Sequence, residues 1–286
     1  MLANINGVKL FFDIEGLQYL PDGPIMRERP VCFALHGGPG GDHSHFMPAF
    51  SYLTKAAQIV YIDHRGCGRS GPAPIETCSL AQNTDDIEAL RQYLGLGKIY
   101  VIGHSYGGMV AQKYMLEYQE NLYGAILIAT APSHRTFDSL PGELERRASP
   151  EQKAFAEELI AGKLNGPDDF KKYMKLMGNL YNYKYDPAEA NDGYERGIFN
   201  IDIQGYQFKN ELSTFDFVPQ LKEVTCPVQL FAGIEDFITP PAQTEEIAAA
   251  IKHAETHIMQ ESSHSVYTDR PETLDMMIDF IQRNFV

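Results

Sequence analysis

The chain of 286 residues has no apolar run long enough to cross a membrane. Its first residues, Met1–Gly7, lack the basic start and apolar core of a signal peptide. Basic residues are also scarce, since 24 lysines and arginines face 38 acids and leave a net charge of −14. Because that charge repels nucleic acid and anionic lipid, we expect neither as a partner. Together these shortages predict a cytoplasmic protein.

Cysteine is rare, and its four copies are scattered at positions 32, 67, 78 and 226. This spacing is typical of buried thiols and does not require disulfides. His43 and His45 have no acid or cysteine that completes a set of metal ligands at a useful spacing. We therefore predict neither a metal nor an organic cofactor.

Apolar strand patterns alternate with helical patterns along most of the chain. Residues 8–14 indicate an antiparallel leading strand, and core strands are expected near Val31, Ile59, Ile99, Ala125, Val228 and Thr256. A chain of this length with 44% hydrophobic residues can build one large domain of this kind. We predict an α/β fold in which a mostly parallel central sheet is flanked by helices.

The alternation is interrupted between residues 132 and 214, a stretch too long for a simple connection. Helical patterns at 150–161 and 168–181 predict a mainly helical cap there, with residues 1–131 and 215–286 forming the two parts of the core. The cap is rich in aromatic residues and methionine, and four of them could line an apolar pocket: Tyr173, Met177, Tyr181 and Tyr206. Packing of the cap onto the core is the alternative interpretation.

Residues 103–107 read Gly-His-Ser-Tyr-Gly and lie between a strand pattern at 99–102 and a helical pattern at 109–115. A nucleophilic serine needs this setting, because it stands on a sharp strand-to-helix turn where flanking side chains would collide. The N-terminus of the following helix directs free N–H groups toward an oxyanion. The sequence thus predicts Ser105 as a nucleophile, with Gly103, His104 and Gly107 supporting its turn.

A second glycine-rich stretch, His-Gly-Gly-Pro-Gly-Gly at 36–41, follows a buried-strand pattern at 31–35. Glycines let the backbone approach a substrate closely. An N–H from such a loop acts with the N–H that follows the nucleophile to stabilise an oxyanion. We predict these two donors in Gly38 and Tyr106, with His36 and Gly37 supporting the loop. An ordinary turn between two elements is the alternative.

A nucleophilic serine also needs a base and an acid that orients the base. In this architecture both follow the serine, in the order acid and then histidine. Asp236 comes just after the apolar run 228–232, and His264 lies in a polar loop after a short strand pattern at 256–259. We predict Asp236 as the acid and His264 as the base, with the adjacent Glu235 as the rival acid.

Taken in order, these motifs resemble the α/β-hydrolase superfamily. The HGGPG loop at 36–40 and a D-x-x-G-x-G-x-S turn at 63–70 are similar to the prolyl iminopeptidase-like branch of serine peptidases. The resemblance covers most of the core and implies the α/β-hydrolase fold with an inserted cap. It also implies hydrolysis of a small-molecule or short-peptide substrate.

Three positions differ from the pattern of that branch. The chain contains no tryptophan, so Tyr106 stands where the branch typically has one, and His104 stands where glutamine is common. Phe237 occupies a position where the branch commonly carries a glutamate that binds the free amino group of the substrate. A cationic amine in a partly dry pocket needs such a counter-charge.

Three functions follow from these observations. We predict a serine hydrolase that cleaves a small carboxylic ester, lactone or amide through an acyl-enzyme. The first alternative is an aminopeptidase of the prolyl iminopeptidase type, which a carboxylate of the cap pointing toward Ser105 would support. The second is a protein that uses the same pocket to bind a ligand without turnover. The sequence gives no oligomeric state.

Overall fold

A computed structural model describes residues 1–285 of the chain, apart from the side chains of residues 189–192 and 194. In chain order its strands are β1 (Leu2–Ile5), β2 (Val8–Glu15), β3 (Tyr19–Asp22), β4 (Ile25–Glu28), β5 (Val31–Leu35), β6 (Gln58–Asp63), β7 (Ile99–His104), β8 (Leu122–Ile128), β9 (Val228–Gly233) and β10 (Glu255–Met259). Eight of them form one sheet in the order β1-β2-β6-β5-β7-β8-β9-β10, and β3 pairs with β4 in a separate hairpin.

The sheet is antiparallel at one edge and parallel elsewhere. Strand β2 runs antiparallel to both β1 and β6, whereas every pairing from β6 through β10 is parallel. Because the carboxyl ends of parallel strands meet at one edge, the loops after β5, β7, β9 and β10 are brought together there. The predicted mostly parallel sheet and the predicted antiparallel leading strand are confirmed.

Helices cover both faces of the sheet. They are α1 (Leu80–Tyr93), α2 (Tyr106–Tyr118), α3 (Thr136–Arg147), α4 (Pro150–Ile160), α5 (Pro167–Tyr181), α6 (Pro187–Arg196), α7 (Ile201–Lys209), α8 (Val218–Leu221), α9 (Pro241–Ala250), α10 (Val266–Asp269) and α11 (Glu272–Asn284). Of the helices in residues 1–285, none is both long and apolar enough for a bilayer crossing.

Strand β5 illustrates why both faces are apolar. All five of its residues are buried, and alternate side chains enter different cores. Phe33 and Leu35 pack in the cluster that includes α1, α2 and α9, whereas Cys32 and Ala34 pack with α10 and α11. Complete burial of each large apolar side chain stabilises the fold by roughly 1.5–3 kcal/mol.

Five helices, α3 to α7, lie between β8 and β9 along the chain. We call residues 136–209, which they span, the insert. The insert has an apolar cluster of its own, whose buried members are Leu140, Leu144, Ala156, Leu159, Phe170, Tyr173, Met177, Leu180 and the core residue Phe237. Through Phe237 this cluster reaches the loop that follows β9.

Candidate active site

Ser105 stands at the turn between β7 and α2, with φ 54° and ψ −119°. Positive φ is unfavourable for a residue with a side chain, so surrounding structure must hold the turn. The glycines beside it allow a close approach, because a Cβ on Gly107 would overlap the carbonyl oxygen of Leu35 and a Cβ on Gly103 would overlap that of Gly107. The helix thus begins directly against β5, and Ser105 lies next to the loop that follows that strand.

The candidate acid and base meet where β9 and β10 end. Nδ1 of His264 lies 2.8 Å from Oδ2 of Asp236, and both side chains are buried. Asp236 also accepts hydrogen bonds from the Ile238 N–H, the Thr239 N–H and the Thr239 hydroxyl at 2.9, 3.0 and 2.7 Å. A carboxylate held by three other donors orients the imidazole firmly and favours the tautomer with a proton on Nδ1.

Glu235, the rival acid, is directed elsewhere. Its carboxylate forms an ion pair with Arg147 of α3, while its backbone N–H binds the carbonyl of Ser262 at 2.9 Å. The structure therefore pairs His264 with Asp236 and leaves Glu235 in a contact between the core and the insert.

His104 joins the serine turn to the histidine loop. Its Nε2 lies 3.0 Å from the backbone carbonyl of His264, and the two rings are 4.8 Å apart between centroids. Among the hydrogen bonds within residues 1–285, none links Ser105 Oγ to the His264 imidazole. Such contacts are often long in structures without substrate and tighten when substrate binds.

The loop after β5 is fixed by His36. Its Nδ1 is 2.7 Å from the carbonyl oxygen of Gly37, and its Nε2 accepts a hydrogen bond from the His64 N–H at 3.1 Å. His36 therefore carries its proton on Nδ1 and is neutral. Since a trans peptide is planar, the N–H of Gly38 points away from the Gly37 carbonyl. Tyr106 is the first residue of α2, and no helical carbonyl can accept its N–H.

Several other imidazoles are packed around this loop. The rings of His36 and His64 are 4.3 Å apart, and those of His45 and His104 are 5.3 Å apart. Burial lowers the pKa of His36, lowers the pKa of His45 to about 4, and lowers the pKa values of His64 and His104 well below their ordinary value. These four side chains are neutral at physiological pH.

His43 binds the carboxylate that the sequence places beside His64. Its Nδ1 lies 2.6 Å from Oδ1 of Asp63, and its backbone N–H binds the same oxygen at 2.9 Å. The other oxygen of Asp63 accepts the Arg69 N–H at 2.8 Å, so Asp63 organises the turn at 63–70. In residues 1–285, no three His, Cys, Asp or Glu side chains are grouped as ligands of a metal ion.

Aromatic side chains of the insert cover His264. The Tyr181 ring meets the His264 and Phe237 rings edge-on, at 5.6 and 5.3 Å between centroids. The Tyr173 hydroxyl lies 3.1 Å from that of Tyr181, and Met177 is buried in the same cluster. Of the four predicted pocket residues, Tyr181 reaches His264 directly, and Tyr173 and Met177 pack behind it.

Tyr206 does not join that group. It lies on α7, and among the described residues its ring forms no aromatic contact or hydrogen bond with Tyr173, Tyr181 or His264. Its carbonyl accepts the Asn210 N–H at 3.1 Å near the end of that helix. The segment that begins α7 does contact the loop after β5, because the Asn200 N–H binds the Gly40 carbonyl at 2.7 Å. The place of Tyr206 in the pocket therefore stays a prediction.

Glu211 is a half-buried acid in the stretch predicted to form the cap. Its Oε2 accepts the N–H of Leu80, the first residue of α1, at 2.7 Å. Burial raises the pKa of Glu211, and the hydrogen bond from Leu80 opposes that rise. A carboxylate at a helix N-terminus stabilises the helix, so Glu211 has a structural partner.

Two residues at the site escaped the sequence analysis. Thr239 supports Asp236, and a threonine three residues after an aspartate at a helix start is a signal that could have found it. Asp269 accepts backbone N–H groups from the histidine loop, at Ser263, and from the insert, at Tyr183. Its partners come from distant segments and leave no pattern in the sequence.

Comparison with known proteins agrees with this architecture. A family model described as the alpha/beta hydrolase fold matches residues 30–271. The chain belongs to the α/β-hydrolase fold family. The family resemblance, the fold class and the hydrolase class predicted from the sequence are therefore confirmed.

Individual relatives carry different hydrolase names. The chain is 30% identical over 269 residues to the proline iminopeptidase PfmaB of Pestalotiopsis fici, covering 91% of this chain and 94% of that protein. Among solved structures, an esterase from Exiguobacterium antarcticum has a TM-score of 0.77 at 19% identity, covering 98% of each chain. A proline iminopeptidase from Mycobacterium smegmatis also gives 0.77 at 19%, covering 99% of this chain and 98% of that one. At such identity the two structural matches establish the fold alone.

Proposed function

We propose that this α/β hydrolase is a serine hydrolase that cleaves a small carboxylic ester, lactone or amide through an acyl-enzyme. The observation that carries the proposal is the 2.8 Å contact between His264 Nδ1 and Asp236 Oδ2. The loop of His264 is joined to the serine turn by the hydrogen bond between His104 and the His264 carbonyl. An imidazole with a proton on Nδ1 keeps Nε2 free to accept another proton. Ser105 supplies that proton in the proposed mechanism.

The mechanism has two steps. His264 accepts the proton of Ser105 as Oγ attacks the carbonyl carbon, and it then protonates the leaving group, which departs and leaves the acyl-enzyme. In the second step His264 activates water, which hydrolyses the acyl-serine. Asp236 stabilises the imidazolium that forms in each step.

Two backbone N–H groups serve as the oxyanion hole in this proposal, those of Gly38 and Tyr106. The hydrogen bond from His36 to the Gly37 carbonyl supports the role of Gly38, because it fixes the peptide that bears the Gly38 N–H. The position of Tyr106 at the start of α2 supports its role, since its N–H is unpaired within the helix. Donors fixed in advance need no reorganisation when charge develops on the substrate.

The surroundings favour an uncharged acyl group. Phe237, only 1% exposed, follows Asp236 and packs its ring against Tyr181. Two acids of this region are already paired, since Glu211 accepts the Leu80 N–H and Glu235 forms an ion pair with Arg147. Neither acid is therefore free to pair with an ammonium group near Ser105, whereas an apolar acyl chain would pack against aromatic side chains.

An aminopeptidase of the prolyl iminopeptidase type is the second candidate. The observation that favours it is the similarity to PfmaB, which is 30% identical over 91% of this chain and is named a proline iminopeptidase. In this reading the substrate would be a short peptide with a free N-terminus, and the amine would have to be bound by a group other than a glutamate at position 237.

We also propose that residues 132–214 act as a cap on a core made of residues 1–131 and 215–286. The packing of Tyr181 on His264 supports this role, and Tyr173 and Met177 behind it would shape the acyl pocket. That Tyr206 lines the same pocket stays a prediction from the sequence. The cytoplasmic location and the expected lack of nucleic-acid and membrane partners likewise stay predictions.

The two candidates are separated by steady-state hydrolysis of p-nitrophenyl butyrate and of proline p-nitroanilide, with Ser105→Ala as the blank. We expect turnover of the ester and a loss on the order of 10⁴-fold in the Ser105→Ala variant. Strong anilide turnover that requires a free amino group would establish the aminopeptidase. Binding of both compounds without turnover by the wild-type protein would support a ligand-binding role and contradict the proposal.

A further inference from the structure

Asp269 is a buried carboxylate outside the proposed triad. Its residue is 3% exposed, and it ends the short helix α10, five residues after His264. Four N–H contacts converge on its two oxygens: Tyr183 N–H at 3.0 Å from each, Lys184 N–H at 3.3 Å and Ser263 N–H at 2.8 Å. A carboxylate buried this deeply is stable only where such donors replace water.

The donors belong to two separate parts of the chain. Ser263 directly precedes His264, whereas Tyr183 and Lys184 follow the end of α5 in the insert. Asp269 therefore bridges the loop that carries the imidazole and the segment that leaves the insert helix. Without the carboxylate, the buried N–H of Ser263 would lose its partner, which is costly, and the N–H groups of Tyr183 and Lys184 would lose their link to the core.

Two further contacts join the same segments. The Ser265 N–H binds the Tyr181 carbonyl at 2.9 Å, and the Ser263 hydroxyl binds the Leu180 carbonyl. The two residues that flank His264 in the sequence thus each form a hydrogen bond to the insert. The Tyr181 ring then packs edge-on against its imidazole.

The helix that carries Asp269 is itself anchored in the core. Val266 is fully buried, and Tyr267 packs edge-on against Phe50 at 5.0 Å between ring centroids. The carboxylate therefore extends from a fixed point in the core and adds its hydrogen bonds to the two that already join these segments.

We propose that Asp269 is a positioning residue, which ties the end of α5 to the His264 loop and thereby sets the imidazole for proton transfer with Ser105. The role of Asp269 rests on the proposed serine-hydrolase function. Through this link, the position of the insert on the core also affects the position of the His264 imidazole. A displacement of about 1 Å at reacting groups can cost on the order of 10²-fold in rate.

The test compares Asp269→Ala, Asp269→Asn and a matched control, Asp186→Ala. Asp186 also accepts a backbone N–H in the insert, that of Ala188 at 2.8 Å, but it is exposed. We measure kcat and KM for p-nitrophenyl acetate, the rate of inactivation by a small alkyl fluorophosphonate, and the melting temperature.

We expect Asp269→Ala to lower kcat and the inactivation rate by about 10- to 100-fold, with KM changed by less than about threefold. Asp269→Asn should fall between this variant and the wild type, because its amide keeps one acceptor oxygen but adds a donor facing N–H groups. Asp186→Ala should leave both rates unchanged. If Asp269→Ala lowers only the melting temperature and keeps the wild-type rates, Asp269 is a structural residue and the proposal is wrong.

Proton NMR tests the position of the His264 imidazole without a measurement of turnover. The low-field resonance of His264 Nδ1–H, assigned by its loss in Asp236→Asn, should broaden or shift in Asp269→Ala and stay unchanged in Asp186→Ala. An unchanged resonance in folded Asp269→Ala would overturn the proposal. Failure of the serine-hydrolase function would be seen separately, as equal activity of the wild-type protein and Ser105→Ala.

Discussion

Two neighbouring acids after β9, Glu235 and Asp236, differ in what their carboxylates contact. Asp236 is buried against His264 and receives three hydrogen bonds from the backbone and the Thr239 hydroxyl besides the one from that imidazole. Glu235 is partly exposed and pairs with Arg147. At the residue scale, the burial of Asp236 and its hydrogen-bond donors favour it as the acid of the triad. The order of residues in the sequence does not distinguish it from Glu235.

Replacing each of these two acids by its amide tests that assignment. Asp236→Asn should lower kcat by on the order of 10⁴-fold, because the amide favours the wrong imidazole tautomer. Glu235→Gln keeps its size and loses a partly exposed ion pair, so kcat should stay within about threefold. Steady-state ester hydrolysis measures both. Equal losses in the two variants would show that Asp236 has no special role.

The sequence predicts residues whose chemistry depends on a local pattern, and it misses residues whose role depends on distant partners. Ser105 and the glycines at 103 and 107 come from a short motif that a strand-to-helix turn requires, whereas Asp236 and His264 come from their order after the serine and their places after strand patterns. The Asp269 contacts unite residues 183, 263 and 269, and their backbone N–H groups carry no residue-type signal. The pairing of Asp63 with His43 was hidden for the same reason.

At the scale of elements, the serine turn depends on contact between α2 and β5. A Cβ at Gly107 would overlap the Leu35 carbonyl, and backbone atoms cannot move aside as a flexible side chain can. Gly142 offers a contrast, since it lies inside α3 and a Cβ there would meet nothing within 4 Å. The two glycines thus differ in their surroundings, although both lie in helices.

Alanine at each position gives opposite expected changes in the free energy of unfolding. Gly107→Ala should lower it by about 3 kcal/mol or more, because the added methyl forces the helix away from β5. Gly142→Ala should raise it by about 0.5–1 kcal/mol, since alanine is the better helix former. Denaturant unfolding followed by circular dichroism measures both. A Gly107→Ala variant as stable as the wild type would contradict the close approach described above.

Elements with regular patterns were predictable, and irregular ones were not. The Ser149 capping box and the apolar spacing of α5 mark helices that the structure contains at Pro150–Ile160 and Pro167–Tyr181. Helix α3 has a proline at position 141, a residue that commonly ends a helix. The hairpin of β3 and β4 is mostly exposed, so it lacks the alternation of apolar and polar residues that a half-buried strand produces.

At the scale of the whole molecule, the buried imidazoles make folding sensitive to acid. Burial keeps the pKa values of His36, His45, His64 and His104 below that of an unfolded histidine, near 6.5. Above pH 6.5 neither state is protonated at these groups and they contribute nothing. As pH falls below 6.5, the unfolded chain binds protons that the folded chain excludes, and stability is lost.

The free energy of unfolding should therefore fall between pH 6.5 and about 4.5. Each histidine contributes a slope of up to about 1.4 kcal/mol per pH unit. Below that range the loss should steepen, because burial would raise the pKa of Asp63 but its hydrogen bond from His43 lowers it to about 2. Denaturant titrations at several pH values measure this profile. A flat profile from pH 7 to 5 would show that the imidazoles titrate normally in the folded protein.

The central claim is that Ser105 carries the acyl group during turnover. Its most direct test is rapid acid quenching of the reaction with p-nitrophenyl butyrate, followed by mass spectrometry of the peptide that contains Ser105. We predict a butyryl adduct on that serine, formed in a burst and discharged by water, with no adduct in Ser105→Ala. Rapid ester turnover with no adduct on Ser105 at any time, and an equal rate in Ser105→Ala, would contradict the account.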